Sequence, residues 1–296
     1  MPEHWNLAVA WEWQYDDAFV ERLRTHALAA GLSFLAIGPA QRDDCIACLR
    51  AGAAISCYLD RASDVDARFA PIEGLVLAAR GRVLNRNAMA AWASDKATMH
   101  MEFLTHNLVV PYTLLLPPFT ERPEVTAEES ARLPVPFVIK PASFGGGEGV
   151  VPGTTLADIR KARSTFPAEK YLIQEKVEPA LLDGRRAWFR PIFALGDVHP
   201  MWWDDRTHFY EPLVADDESR YGLSVVTDMM RRIAGVSGLD FFSAEICLDR
   251  NGRFLVVDYV NVPCDMRVRS LHPRGVPDAV VDAVAAHIVA AAQTPR

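Results

Sequence analysis

The 296-residue sequence contains no uninterrupted apolar run of about 18 residues, so no membrane-spanning helix is expected. No basic segment followed by an apolar one stands at its start, and no export signal is expected. Cysteine is scarce: five residues, an odd number without a disulfide-dense layout, which excludes a cross-linked secreted scaffold and points to a reducing cytoplasm. Cys45 and Cys48 form one C-x-x-C in "DDCIACLR", but no second pair follows at zinc spacing. They are expected on a helix with both thiols inward. Positive charge is in deficit, 31 Lys and Arg against 38 Asp and Glu, and the net charge of −7 argues against a surface that coats nucleic acid. Nowhere does Gly-Lys-Ser or Gly-Lys-Thr occur, which excludes a Walker A loop.

What is present is a large apolar fraction, 50% of residues, enough to bury a core in two or more lobes. "NLAVAWEW" (Asn6–Trp13) reads as a strand running into a helix whose apolar face is Phe19, Leu23, Ala27 and Leu28 and which ends at Gly31. "LSFLAIGP", "AAISCYLDRAS" and "RGRVLNRN" read as further strands of a parallel α/β lobe. Arg61 falls at the carboxyl end of the third strand, where open α/β sheets place ligand contacts. From about Ala88 two helices follow, broken at Ser94-Asp95, then a strand entered from "VVPYT" and a Pro- and Glu-rich linker with a short helix. The rest reads as α+β: strands "PFVIK", "GVVPG" and "YLIQEKV", two strands in "AWFRPIFALGDVHPMWW" joined at Ala194–Asp197, a helix in "VVTDMMRRIAGVSGL", a hairpin turning at Asn251-Gly252, and a final amphipathic helix. The expected units are residues 1–88, 89–172 and 173–296.

One stretch demands an explanation. "FVIKPASFGGGEGVVPG" puts four glycines in five positions, Gly145 to Gly149, closely behind Lys140. Glycine packs nothing and is conformationally expensive, so such a cluster suggests backbone N–H groups laid against an anion. A dinucleotide fingerprint would need a third glycine and a following helix. Val150 and the extended "VVPG" supply neither. Two readings are left, a glycine hairpin tip over a triphosphate with Lys140 reaching in from the strand below, or a flexible tip with Lys140 on a solvated edge. Other residues favour the first. Lys96 stands in "SDKATMH", and Gln174, Glu175 and Lys176 end a strand. Alternation across the later hairpin puts Glu245 and Asp258 on one face, with Asn261 beyond. Two such acids repel unless a divalent cation lies between them, and Mg²⁺ takes carboxylate and amide oxygens together with phosphates.

The order of these features resembles the ATP-grasp superfamily, within it the glutathione-synthetase and RimK-type ligase branch. The resemblance rests on "NAMAAWASDK", "FVIKPASFGGGEGV", "LIQEKV", "RRAWFRPIFALGD" and "AEICLDRNGRFLVVDYVN" and runs from about residue 6 to 270. It implies an α/β N-terminal lobe followed by an α+β ATP-grasp domain whose two subdomains clasp ATP. It further implies that Lys96 and Lys140 contact the α- and β-phosphates and that Ser143, Gly145, Gly146 and Gly147 cover the β/γ end. Glu175 and Val177 would hold the adenine edge at the hinge, flanked by Gln174 and Lys176, with Asp183 a looser candidate for the ribose. Glu245, Asp258 and Asn261 would hold Mg²⁺, with Mn²⁺ as a substitute. Arg190 would lie near the transferring phosphoryl group, a role also open to Arg185 or Arg186, and Arg267 would meet a substrate carboxylate. Where the family has "E-x-N" this chain has "D-x-x-N", so a bulge is expected to bring Asn261 to the metal.

The resulting expectation is an ADP-forming ligase that joins a small-molecule carboxylate to an amine through an acylphosphate, with no nucleic-acid or membrane partner and a homodimer left open. A small-molecule kinase on the same fold and a non-catalytic ATP-binding regulator are the alternatives. "MWWDDRTHFYE" (Met201–Glu211) is expected as a loop, either a lid over the substrate or an apolar knob at a subunit contact. Cys264 lacks a neighbouring histidine in sequence and is not expected to be a nucleophile. His100 and His106 are expected to be packing or solvent residues.

Overall fold

The computed structural model describes residues 3–293. The first lobe comprises β1 (His4–Trp11), α1 (Asp17–Ala29), β2 (Phe34–Ile37), α2 (Arg42–Arg50), β3 (Ala54–Arg61), α3 (Pro71–Ala78) and β4 (Arg82–Leu84). Its four strands are parallel in the order β2-β1-β3-β4. The unbroken apolar run of β1 follows from burial on both faces. Leu7 and Val9 enter one core with Phe19 and Leu23 of α1, while Ala8 and Ala10 enter another with Ile46 of α2 and Ile72 of α3. Cys45 is buried and Cys48 only half-buried, so one thiol of the C-x-x-C is fully inward. Helix α3 was not legible beforehand, because "PIEGLVLA" is apolar without helical period and carries Gly74.

Helices α4 (Asn87–Ser94) and α5 (Lys96–Thr105) lead to an antiparallel sheet built from β5 (Thr113–Leu116), α6 (Ala127–Ser130), β6 (Phe137–Pro141), β7 (Val151–Gly153), α7 (Leu156–Arg163) and β8 (Tyr171–Glu175). Its strand order is β5-β8-β6-β7, so the glycine cluster is the tip between two paired neighbours. Leu116, Phe137, Ile139, Ile159 and Tyr171 form the small core beneath it.

The remaining elements are β9 (Leu181–Leu182), β10 (Arg185–Arg186), β11 (Trp188–Phe189), β12 (Ile192–Ala194), β13 (Asp197–His199), β14 (Met201–Trp203), β15 (Tyr210–Pro212), α8 (Ala215–Tyr221), α9 (Ser224–Ser237), β16 (Phe241–Leu248), β17 (Phe254–Asn261) and α10 (Asp278–Gln293). Seven strands form one sheet, with β16 between β17 and the interrupted strand β11–β12. The two strands expected between Ala187 and Trp203 are each broken in two. Pro191 and Pro200 interrupt them because proline has no N–H for the ladder. Helices α4, α5 and α9 cover this sheet through Ala93, Phe103, Met230 and Ile233 against Phe189, Phe242 and Ile246. Helix α10 packs back on the first lobe, where Arg22 of α1 bonds Asp278 and Asp282.

Two further expectations are corrected. Met201–Glu211 is not a loop throughout: β14 and β15 pair at its two ends, and residues 204–209 form the loop between them. Trp202 and Trp203 are buried, Trp202 with its ring centroid 4.8 Å from that of Phe189, because the strand alternation offers both indoles to cores. Arg61 is a buried clamp and not a ligand contact. It donates to Asp16 at 2.8 and 2.7 Å and to the carbonyl of Cys264 at 2.9 Å. Among the described residues no helix is long and apolar enough to cross a membrane.

Candidate active site

Lys140 projects from β6 beneath the glycine tip. It is 6% exposed, donates to the carbonyl of Val257 at 2.9 Å, and lies 5.3 Å from the ring centroid of Tyr259. The solvated-edge reading of Lys140 is therefore excluded by its burial. Lys96 approaches from the first turn of α5, where a cation opposes the helix dipole. Asp95 offsets this as N-cap, and the Lys96 ammonium donates to the carbonyl of Phe144 while its backbone N–H donates to Ala142. The base of the glycine tip is thus pinned to the helix that carries Lys96.

The tip itself touches little. Ser143 and Gly145 to Gly147 are exposed, and a Cβ at any of these three glycines would meet nothing within 4 Å. Gly146 and Gly147 take positive φ, 61° and 80°, which is the local reason for glycine there. Internal packing explains Gly149 alone, where a Cβ would approach Phe166 and Pro141 to 3.0 Å. The other three leave bare backbone turned to open space.

Below the tip, β16 and β17 pair Glu245 with Asp258 and Ser243 with Asn261, with register shifts on either side of Glu245. The extra residue of "D-x-x-N" is taken up by this bulge, and Asn261 lies beside Asp258. Three cations face the two acids. Arg190 is 3.3 Å from Glu245, Lys96 is 4.0 Å from Asp258, and Lys140 acts on both. Burial raises the Glu245 carboxyl, with Arg190 opposing and Asp258 reinforcing the shift. Burial works on Asp258 in the same direction, but Lys96, Lys140 and Arg190 outweigh it and hold that carboxyl below its ordinary value. Arg190 stays charged: burial disfavours its cation, while Tyr210, Glu245, Asp258 and Asp265 raise its pKa. Its guanidinium lies 4.9 Å from the ring centroid of Trp203.

This donor set suits a hard divalent cation. It offers two carboxylates and an amide oxygen on one bulged hairpin, and the Ser243 hydroxyl opposite Asn261 is buried without a partner. Among the described residues no group of three His, Cys, Asp or Glu could hold a metal ion, and the oxygens beside the two carboxylates are those of Asn261 and Ser243.

Gln174, at the end of β8, donates to the hydroxyl of Tyr259 at 2.9 Å, which also meets His100 Nδ1 at 2.7 Å. Burial, then the charge of Lys140, brings His100 down to about 4, so it is a neutral packing residue at pH 7. His106 is exposed. Sequence reasoning missed Tyr259 as the link between β8 and the β16–β17 hairpin. Its only signal was an aromatic ring between the two expected ligands.

Several expected residues stand further out. Glu175 pairs with Arg253 at 3.3 Å, exposed Lys176 pairs with Glu178 at 2.9 Å, and Val177 packs on the core shared by the first lobe, the seven-stranded sheet and α10. Asp183 is exposed in the β9–β10 turn, where it bonds Tyr221 and pairs with Arg220, both of α8. Arg185 pairs with Glu211 and Arg186 with Asp205, so Arg190 is the arginine that the fold brings to the acids. Arg267 is bonded to Asp265 through Nε and Nη2. Cys264 is buried and its thiol is raised to about 12, chiefly by burial, which leaves it inert at neutral pH. A separate surface cleft of about 700 Å³, lined by Arg82, Phe193, Leu239 and His287, contains none of these residues.

Burial lowers Lys140 to about 8, assisted by Lys96 and opposed by Asp258 and Glu245. The ammonium is therefore charged at pH 7 and is lost as pH rises through about 8. ATP affinity is expected to weaken through the same window. Lys140→Met, which keeps much of the volume, should weaken ATP binding about 10- to 100-fold at pH 7, the equivalent of roughly 1.5–3 kcal/mol for a charge-assisted bond. Calorimetry across pH 7–9 checks both points, since the step near pH 8 should vanish in the variant.

No family model and no curated sequence matches the chain. Solved structures do. A RimK-domain ATP-grasp protein from Sphaerobacter thermophilus shares 19% identity over 96% of this chain and 98% of its own, with a TM-score of 0.66. D-alanine–D-alanine ligase from Bacillus anthracis, complexed with ATP, shares 11% identity over 97% and 95%, with a TM-score of 0.67. The D-cycloserine synthetase DcsG shares 16% identity over 97% and 99%, with a TM-score of 0.63. Correspondence over nearly the whole of each chain establishes that this protein has the ATP-grasp fold, in common with the RimK-type proteins.

Proposed function

We propose that the protein is an ATP- and Mg²⁺-dependent ligase that joins a carboxylate to an amine through an acylphosphate, releasing ADP and phosphate. The observation that carries this reading is the charge cluster under the glycine tip: Lys96, Lys140 and Arg190 against Glu245 and Asp258. Three positive groups against two negative ones leave an excess of one in a cleft covered by bare backbone, which a polyphosphate–metal complex would neutralise. The ATP-grasp fold adds support, since the similar structures include a D-alanine–D-alanine ligase bound to ATP and the ATP-grasp ligase PsnB bound to Mg and ADP.

In this reading Lys96 and Lys140 bind the phosphates, and Ser143 with Gly145, Gly146 and Gly147 closes over the β/γ end and excludes water. Gln174, Glu175, Lys176 and Val177 form the nucleotide hinge, and Asp183 would have to leave Arg220 to reach a ribose. Glu245, Asp258 and Asn261 would hold Mg²⁺ or Mn²⁺, which supplies charge neutralisation at the phosphates. A carboxylate oxygen attacks the γ-phosphorus and the bond to the β-phosphate oxygen breaks, giving acylphosphate and ADP. Arg190 neutralises the charge that develops on the transferring group. The amine then attacks the acyl carbon, loses a proton, and phosphate departs. Arg267 orients the substrate carboxylate, and no side chain forms a covalent bond.

With a carboxylate substrate, ATP and hydroxylamine in place of the amine, a hydroxamate should accumulate in step with ADP. Stoichiometric AMP would overturn the mechanism. ADP accompanied by a stable phosphorylated product, independent of any amine, would transfer the assignment to a kinase. Absence of turnover with every acid, despite tight Mg·ATP binding, would favour a regulator. The bulge that carries Asn261 to Asp258 weighs against that last outcome.

A further inference from the structure

The connection from β1 to α1 carries two large rings that the fold leaves uncovered. Trp13 is 39% exposed and Tyr15 38%. Their centroids lie 5.0 Å apart, and His272, on the loop after β17, lies 5.1 Å from Tyr15. The rings meet at 66° and 83°, so they form angled walls and not a closed stack. Arg267, on the same loop as His272, sits 5.6 Å from the Trp13 centroid.

These groups come from opposite ends of the chain, yet they are held firmly together. Arg61 joins Asp16, the residue after Tyr15, to the carbonyl of Cys264, just ahead of Asp265 and Arg267. All three partners of this clamp are buried. The rings therefore stand in fixed positions at the carboxyl end of the parallel sheet, the edge at which such sheets bind ligands. The loop that carries Arg267 and His272 leaves β17 at Asn261, beside Asp258, so the rings stand next to the hairpin that holds Glu245 and Asp258. Uncovered aromatic surface held rigidly beside a reaction centre is a recognition surface. A guanidinium stacks well on flat rings, as Arg267 does over Trp13, and a carboxylate guest would share Arg267 with Asp265 and Arg190 with Glu245.

Resting on the ligase reading above, we propose that the acid activated by this protein has a flat aromatic body, seated against Trp13, Tyr15 and His272 with its carboxylate turned toward Arg267 and Arg190. Trp13 and Tyr15 are then the specificity-determining residues of the reaction.

The test compares 3-phenylpropanoate with 3-cyclohexylpropanoate, acids of equal carbon number, by calorimetry on the full chain with Mg·ADP bound. The phenyl acid should bind about 2- to 10-fold more tightly, the range that aromatic pairing adds beyond area. Trp13→Leu and Tyr15→Leu, both at exposed positions, should abolish the preference and leave Mg·ADP affinity unchanged. Equal affinities in the parent chain, a preference that survives both substitutions, or no binding of either acid would overturn the proposal. So would loss of self-association on Trp13→Leu without any change in acid binding, which would assign the rings to a contact between copies. A parallel hydroxamate assay separates the two readings: selective binding without hydroxamate keeps the aromatic site and rejects the ligase.

Discussion

Replacing Asp258 by asparagine is expected to lower kcat by about 10²- to 10³-fold, the usual consequence of removing one charge-stabilising group from a reaction centre. The carboxylate faces Lys96 and Lys140 and stands beside Asn261, so in the proposed reading it would serve both as a metal ligand and as the counter-charge of the phosphate-binding lysines. Its loss leaves Lys96, Lys140 and Arg190 facing Glu245 alone. The metal-free variant should therefore melt below the parent, and Mg·ATP should recover part of the difference by neutralising the excess charge. Because the Asp258 carboxyl lies below its ordinary value in the folded chain, its stabilising contribution is present at neutral pH and disappears as pH falls through that lowered value. Glu245→Gln should be milder for stability, since burial already raises Glu245 toward its neutral form. Turnover at saturating Mg²⁺ within tenfold of the parent would remove Asp258 from the metal site.

Arg61→Met should destabilise the chain by about 3–5 kcal/mol, because it leaves Asp16 buried without its partner. For a chain of this size that corresponds to a fall in Tm of about 10 °C. The double variant Arg61→Met with Asp16→Leu should recover most of the loss, since it removes the orphaned charge along with the clamp. In the double variant the rings lose their fixed register, so acid affinity should stay low although stability returns. Denaturant titration of the three variants checks the cycle, and a single-variant loss under 1 kcal/mol would mean that the pair contributes little.

Much of the site was legible because its chemistry is written locally. Gly145 to Gly149 lie a few residues behind Lys140 on one hairpin, and Glu245, Asp258 and Asn261 share another. Hairpin pairing brings each set together, with the bulge beside Glu245 completing the second. The order of the strands, the break at Ser94-Asp95 and the turn at Asn251-Gly252 were likewise readable from period, cap and turn chemistry. Pro191 and Pro200 stood in plain view, but their effect depended on both neighbours of β11–β12, which a single strand's pattern does not reveal.

What the sequence determined by itself was most of the long elements, β1, α1, α5, α9, the β16–β17 hairpin and α10, since helix and strand periods act over a few positions. Only the tertiary structure decided which distant residues meet. Arg61 looked like a ligand contact until Asp16 and Cys264, the latter 203 positions away, closed around it. Trp13 read as the end of a strand, and only the fold sets it against Arg267 and sets Tyr15 against His272. Tyr259 carried no sequence signal beyond its ring between the expected ligands, and only the fold joins its hydroxyl to His100 and Gln174. Such contacts form only when lobes pack, and packing depends on the summed burial of many side chains and on no local pattern.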